Sequence, residues 1–151
     1  MRLAEDISAA KRVYLAGNGG SAANAIHIAN DLVSCGIRAQ ALTADVSTLT
    51  AIANDFGYEH VFSRQLEVFG EPGDLVLVLS GSGRSPNILA ALAKAKALGV
   101  KSWGLFGAWN GLHEMAKLAD CCIVFGKDMQ EAEDHQLKVG HEVLRWLKEA
   151  R

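Results

Sequence analysis

The stretch "RVYLAGNGGSAANAIHIANDLVSCG", residues 12–36, decides the fold of this chain. It begins with a short apolar run that is typical of a β-strand and passes through a glycine-rich turn. It then continues into a segment whose apolar residues recur at helical spacing. Gly36 ends the predicted helix. A strand, a tight turn and a helix in this order form a βα unit, which is the building block of a parallel sheet.

The rest of the chain repeats this alternation. We predict further strands at "AQALTA" (39–44), "LVLVLS" (75–80), "KSWGLFG" (101–107) and "DCCIVFG" (120–126). The run at residues 75–80 is apolar up to its last residue, Ser80, as expected of a central strand that is covered on both faces. Helices are predicted at "DVSTLTAIAND" (45–55), "EHVFSRQLEVFG" (59–70), "RSPNILAALAKAKALG" (84–99), "LHEMAKLA" (112–119) and "EAEDHQLKVGHEVLRWLKEA" (131–150). The pattern predicts one α/β domain over residues 1–151, with a parallel sheet of about five strands between two layers of helices.

Composition argues against nucleic acid and membranes as binding partners. The 151 residues carry a formal net charge of −2, and their lysines and arginines are scattered, so no basic stripe favours nucleic acid or anionic lipid. No apolar run approaches the ~20 residues that span a bilayer. Cys35, Cys121 and Cys122 show no bridging pattern, which fits a reducing compartment. We therefore expect a cytoplasmic protein with a small-molecule ligand and without a nucleic-acid or membrane partner.

The glycine turn has the features of an anion site. Gly17, Gly19 and Gly20 permit close backbone approach, and Asn18 and Ser21 place polar side chains near the start of the following helix. Free backbone N–H groups at a helix start favour an anion. The spacing matches neither a dinucleotide fingerprint nor a Walker loop. A plain strand-to-helix turn is the alternative.

A serine-rich loop, "LSGSGRSPN" (79–87), strengthens the anion hypothesis. Ser80, Ser82 and Ser85 offer three hydroxyls between an apolar strand and a helix start, a geometry that recurs in phosphate binding. In parallel sheets, ligands bind beyond the carboxyl ends of the strands, so this loop and the glycine turn are expected to meet. Phosphate is the favoured ligand.

Two pairs of polar residues suggest chemistry. His27 and Asp31 are four positions apart on one predicted helix, which suits two ligands of one metal or a base beside its partner. Glu133 and His141 are eight apart and share a side of the last helix. The four could form a tetrahedral zinc site if the helices meet. A surface ion pair is the alternative for His27 and Asp31.

Four stretches together resemble one family. "AGNGGSAANAIHIAND", "DVSTLTAIANDFGYEHVFSRQLE", "GDLVLVLSGSGRSPN" and "EDHQLKVGH" are similar, in order, to the sugar isomerase (SIS) domain of the phosphoheptose isomerase family. The resemblance implies a three-layer sandwich with a five-stranded parallel sheet in the flavodoxin-like order 2-1-3-4-5. It also implies homotetramers with active sites between subunits. Such enzymes interconvert sedoheptulose 7-phosphate and D-glycero-D-manno-heptose 7-phosphate, a step toward the heptose of lipopolysaccharide.

The resemblance also implies roles for single residues. Sugar-phosphate binding is implied for Asn18, Gly19, Gly20, Ser21, Asn54, Asp55, Ser80, Gly81, Ser82 and Ser85. A Zn²⁺ ion is implied at His27, Asp31, Glu133 and His141, with Asp31 and His141 as the acid/base pair. From the residues alone, Asn54 and Asp55 could equally be an Asx cap beside a turn.

Several positions depart from the family. Asp31 replaces a glutamate, and Glu133 replaces a glutamine, so one carboxylate is shorter and one neutral ligand is charged. Gly81 and Arg84 stand where the family has a hydroxyl residue and a small polar one. The segment "MRLAEDISAAK" before the first strand is shorter than the helical segment expected there, so subunit packing could differ.

The sequence therefore predicts an aldose–ketose isomerase of phosphosugars, assembled as a homo-oligomer, either tetramer or dimer. Two alternatives stay open. One is a noncatalytic SIS module that senses a phosphosugar or binds a protein such as a replication initiator. The other is an isomerase or epimerase of a different phosphosugar.

Overall fold

The computed structural model describes residues 1–108 and 114–150. The strands are β1 Val13–Ala16, β2 Ala39–Ala41, β3 Leu75–Ser80, β4 Lys101–Gly107 and β5 Cys121–Phe125. The helices are α1 Arg2–Ala9, α2 Gly20–Ser34, α3 Val46–Phe56, α4 Ser63–Phe69, α5 Pro86–Leu98, α6 Glu114–Leu118 and α7 Met129–Glu149, with a 3₁₀ turn at Tyr58–His60.

All strand pairs are parallel, and the sheet order is β2-β1-β3-β4-β5. This confirms the predicted parallel sheet and its flavodoxin-like order. Strand β3 lies at the centre, as its unbroken apolar run predicts, and all six of its residues are buried.

The side chains of β3 alternate between two apolar cores, one on each face of the sheet. Leu75, Leu77 and Leu79 pack with α1, α2 and α7, whereas Val76 and Val78 pack with α4, α5 and α6. Each core therefore lies between the sheet and one helical layer. The result is the predicted three-layer sandwich.

Helix α1 was not predicted from the sequence. It buries Leu3, Ala4 and Ile7 in the first core. Asp6 anchors its outer side, because its carboxylate lies 2.7 Å from Lys101 Nζ and accepts a hydrogen bond of 2.8 Å from Trp103 Nε1.

The boundaries of two predicted elements can be refined. Strand β2 has three residues, because the chain turns after Ala41. Helix α3 begins after Asp45, whose carboxylate accepts from the backbone N–H groups of Ser47 and Thr48. Leu112 and His113, the first two residues of the predicted short helix, lie outside the described residues. Over the described ranges, the helices are too short or too polar to cross a bilayer.

Candidate active site

The site is built where the chain changes direction across the sheet. Strands β1 and β3 are neighbours, and the helices that follow them, α2 and α5, pack on opposite faces of the sheet. The glycine turn (residues 17–20) follows β1, and the serine loop (residues 81–85) follows β3. The carboxyl ends of adjacent parallel strands share one edge, so the two loops meet at a topological switch point.

A reciprocal pair of carboxamides joins the two loops. Asn18 Nδ2 donates to Asn87 Oδ1 at 2.8 Å, and Asn87 Nδ2 donates to Asn18 Oδ1 at 2.8 Å. Tyr58, from the 3₁₀ turn, also donates its hydroxyl to Asn18 Oδ1, at 3.0 Å. A cavity of about 310 Å³ lies among these elements and is lined by Asn18, Tyr58, Glu59, Ser85, Pro86 and Asn87.

The hydroxyls of Ser80, the last residue of β3, and of Ser82 and Ser85 in the serine loop form one cluster. Ser85 Oγ lies 3.4 Å from Ser80 Oγ and 3.4 Å from Ser82 Oγ. The backbone N–H of Gly83 donates to Ser80 Oγ at 3.1 Å, which fixes the curve of the loop. The loop therefore presents its hydroxyls together at the start of α5, where free backbone N–H groups favour an anion.

The glycine turn requires its glycines. A Cβ atom at Gly17 would lie 2.6 Å from the backbone oxygen of Ser21, and Gly19 has a φ of +56°. Larger residues at either position would clash or be strained. Ser21 itself is buried behind this turn.

A second cluster lies farther along α2. His27 Nε2 is 3.0 Å from His141 Nε2, and the rings meet edge to face with centroids 5.2 Å apart. Asp31 Oδ2 lies 3.4 Å from His27 Nε2 and 3.9 Å from His141 Nε2. The structure thus brings three of the four predicted metal ligands together.

Helix packing explains this convergence. Helices α2 and α7 run side by side in the same direction, and Asn24 Nδ2 donates to the backbone oxygen of Glu133 (2.9 Å) and to Gln136 Oε1 (3.2 Å). One turn farther on, Gly140 packs directly against Ile28, where a Cβ atom would overlap the isoleucine side chain. His141 follows Gly140 directly, so this close packing of α7 on α2 places the His141 imidazole beside His27.

Glu133, the fourth predicted ligand, lies elsewhere in this structure. Its carboxylate packs directly against Gly20, at the first turn of α2, and is outside the three-residue cluster. Glu133 and His141 are on the same helix, but their side chains meet different turns of α2. The neighbouring His135 also points elsewhere, because it stacks on Phe125 and bonds to the backbone oxygen of Glu131.

The structure also places four other residues that are named in the sequence analysis. Asn54 Nδ2 donates to Asp55 Oδ1 at 2.8 Å, and both residues are exposed at the end of α3 and do not line the 310 Å³ cavity. Gly81 is buried against the sulfur of Met129, which fills the place of a side chain there. Arg84 is exposed on the serine loop.

The donor set fits a zinc ion. Ligand atoms of a tetrahedral zinc site with bonds of about 2.0–2.1 Å lie about 3.3 Å apart, and the three contacts here are 3.0, 3.4 and 3.9 Å. Asp31 Oδ2 is shielded from solvent and makes no hydrogen bond with the described residues. A buried carboxylate oxygen without such a partner is costly unless it binds a cation.

Sequence reasoning missed Asn87 and Tyr58. Asn87 closes the quoted stretch "LSGSGRSPN", and its position in the first turn after Pro86 was the available signal. Tyr58 carries no comparable signal, because it reaches Asn18 from a different loop, 40 positions along the chain.

Comparison with known proteins shows the family to which this chain belongs. A sequence model of the SIS domain matches residues 2–107. A phosphoheptose isomerase of Aneurinibacillus thermoaerophilus is 45% identical over 92% of this chain and 73% of its own length. One from Burkholderia pseudomallei is 47% identical over 88% of this chain and 68% of its own length.

A solved structure is also similar throughout. The phosphoheptose isomerase of Neisseria gonorrhoeae superposes with a TM-score of 0.86 at 28% identity, covering 97% of this chain and 81% of that one. Sequence, fold and site geometry lead to one assignment: the chain belongs to the SIS domain family, in the branch of the phosphoheptose isomerases.

Proposed function

We propose that this protein is an aldose–ketose isomerase that interconverts sedoheptulose 7-phosphate and D-glycero-D-manno-heptose 7-phosphate. One observation carries the proposal. In a chain 45% identical to a phosphoheptose isomerase, two imidazoles meet a carboxylate whose Oδ2 atom is buried and makes no hydrogen bond with the described residues. This donor set suits proton transfer next to a carbonyl.

The reaction needs one proton to move between two carbons and one between two oxygens. We assign the carbon step to Asp31, which removes a proton from C1 of the ketose and returns it to C2 of the enediol. His141 gives a proton to the C2 oxygen and receives one from the C1 oxygen. The sum is an isomerisation without a net change in atoms or charge.

The phosphate would bind at the other end of the site. Ser80, Ser82 and Ser85 offer their hydroxyls, and the first turn of α5 adds backbone N–H groups. His27 lies seven residues after Gly20, or about 10 Å along the axis of α2 from the glycine turn. An anchored phosphate would hold the reacting carbons of an open-chain sugar beside the histidine cluster.

A metal ion forms part of the proposal. His27, Asp31 and His141 would hold Zn²⁺, and Glu133 is the predicted fourth ligand, although its carboxylate packs against Gly20 in this structure. When bound, zinc would polarise the sugar carbonyl as a Lewis acid.

The decisive experiment combines metal analysis with product identification. The purified protein should contain zinc and should convert sedoheptulose 7-phosphate to the heptose phosphate, followed by NMR. If the protein contains zinc and converts another ketose phosphate but not sedoheptulose 7-phosphate, the proposed substrate is wrong and the reaction class holds. Phosphosugar binding with neither zinc nor turnover would support a noncatalytic sensing or protein-binding module instead.

We also propose a homo-oligomer, tetramer or dimer, for this chain. Helix α3 contributes no buried residue, and it leaves apolar side chains exposed, with Val46 70% and Phe56 49% accessible. A second copy of the chain would cover them. Light scattering of the wild type and of Val46→Lys tests this, because the charged variant should shift the mass toward the monomer.

The proposed place of action is the cytoplasm. All three cysteines are free thiols, and Cys35 is buried. Free thiols are usual in a reducing compartment.

A further inference from the structure

Three of the four hydrogen-bonding positions of the Asn18 carboxamide have a partner within the protein. A carboxamide has two acceptor positions on its oxygen and two N–H donors. Asn18 Oδ1 accepts from both Asn87 Nδ2 and the Tyr58 hydroxyl, and one Nδ2 hydrogen goes to Asn87 Oδ1. Among the described residues, one N–H remains without a partner. Asn18 lines the 310 Å³ cavity, so this N–H is what the side chain can offer a ligand.

Asn87 and Tyr58 together fix the orientation of the Asn18 carboxamide. Asn87 is 2% exposed, and its two bonds keep the Asn18 carboxamide in one plane. The pair alone does not select an orientation, however, because turning both carboxamides over would preserve both bonds. Tyr58 breaks this symmetry, since a phenol hydroxyl donates more strongly than it accepts and its contact is with Asn18 Oδ1.

We infer that Tyr58 and Asn87 are positioning residues that make Asn18 a pure hydrogen-bond donor toward the ligand. Asn18 then selects a ligand oxygen that accepts, such as a phosphoryl or carbonyl oxygen, and disfavours a group that must donate. The inference rests on the proposed function, because it takes the ligand to be a sugar phosphate.

Tyr58→Phe is the sharpest variant for this inference. Tyr58 is 57% exposed, so loss of its hydroxyl should leave the fold intact. Asn18 would then populate both orientations, and a lone pair of its oxygen would be free. We expect KM for sedoheptulose 7-phosphate to rise about two- to tenfold, with kcat within about twofold.

Tyr14→Phe is the matched control. It also removes one hydrogen-bonded phenol hydroxyl, because Tyr14 donates to the backbone oxygen of Phe69 at 2.9 Å. Tyr14 is buried and makes no contact with Asn18 among the hydrogen bonds of the described residues. This variant should lower the melting temperature and leave KM unchanged. Asn87→Ala should raise KM more than Tyr58→Phe does, since it removes both hydrogen bonds between Asn87 and Asn18.

A readout that does not require turnover separates this inference from the proposed function. In ¹⁵N-labelled wild-type protein, the Asn18 side-chain amide should give one pair of proton signals, and inorganic phosphate should shift the unbonded proton. In Tyr58→Phe the pair should broaden or double. If wild type turns over no sugar phosphate but this pattern holds, the proposed function fails and the orientation stands. Identical Asn18 signals and identical KM in wild type and Tyr58→Phe would overturn the inference.

Discussion

His27 Nε2 and His141 Nε2 lie 3.0 Å apart, although 114 positions separate the two residues in the sequence. Asp31 Oδ2 faces both nitrogens from within 4 Å and makes no hydrogen bond with the described residues. Two neutral imidazoles can share one proton in such a contact, but the carboxylate oxygen beside them then stays unsatisfied. A bound cation would satisfy all three atoms at once.

His141→Ala tests this cluster. It should remove bound zinc from the purified protein and lower kcat by at least about 10²-fold, because it deletes both a ligand and a proton carrier. Zinc is measured by atomic emission and folding by circular dichroism. His60→Ala is the control, since His60 is exposed and outside the cluster. Full activity of His141→Ala would remove His141 from the mechanism.

Asp31 can be tested by separating its charge from its shape. Asp31→Asn keeps an oxygen ligand but loses the base, so we expect kcat to fall about 10²–10⁴-fold with little change in KM. Asp31→Glu restores the carboxylate with one more methylene and should retain more activity than Asp31→Asn. Equal activity of Asp31→Asn and wild type in steady-state assays would assign the base elsewhere.

Ser85 is the hydroxyl that contacts both of its neighbours in the serine loop. Ser85→Ala should raise KM about tenfold or more, because a hydrogen bond to a charged group contributes about 1.5–3 kcal/mol. kcat should change little. Ser8→Ala, on the exposed side of α1, is the control. A Ser85→Ala enzyme with wild-type KM would place the phosphate outside this loop.

Gly140 controls the distance between α2 and α7. In Gly140→Ala the new Cβ would overlap buried Ile28, so we expect overpacking to cost about 1–3 kcal/mol against a gain in helix propensity of up to about 1 kcal/mol. The melting temperature and the zinc content should both fall. Gly140→Ala combined with Ile28→Ala makes room for the methyl group and should recover zinc binding. Undisturbed zinc content in the single variant would show that this contact does not set the cluster.

Asp6 should contribute to acid sensitivity. Burial by itself raises the pKa of this carboxyl, but hydrogen bonds from Lys101 and Trp103 and the charges of Lys101 and Arg2 outweigh burial, so the net pKa is lowered. The stabilisation is therefore present above the unfolded value near 3.8 and is lost as the pH falls through the lower folded pKa.

The variant Asp6→Asn tests this pH dependence. It should be less stable than wild type at neutral pH, and the difference should shrink as the pH falls below about 4. Urea unfolding between pH 7 and pH 2 provides the measurement. A constant difference across this range would mean that the contribution of Asp6 does not depend on its charge.

Much of the fold could be predicted from local patterns. The apolar run at residues 75–80 identified the central strand, and glycine turns and helical spacing located α2, α5 and α7. These signals are local because strand and helix periodicity and turn chemistry depend on residues a few positions apart. Helix α1 was not predicted, because a helix of eight residues has a weak local signal and is stabilised by packing Leu3, Ala4 and Ile7 into the first core.

Part of the candidate site could likewise be predicted from the sequence, and part depends on contacts between distant segments. The serine cluster and the His27–Asp31 pair could be found in the sequence, since their members are close along the chain and share one loop or one helix face. The position of His141 beside them depends on Gly140 packing against Ile28, which is a contact between distant segments. Spacing also grouped Glu133 with His141, but the two side chains meet α2 two turns apart.

Sequence alone determined the strands, the helices other than α1, the two loops that we propose to bind the ligand, and the residue types that can carry the chemistry. Tertiary structure decided which of those residues meet: His141 reaches His27, Glu133 reaches Gly20, and Tyr58 and Asn87 orient Asn18. The physical reason is that periodicity determines only the face of a helix or strand on which a side chain lies. The packing of that helix or strand against others determines which residue the side chain contacts.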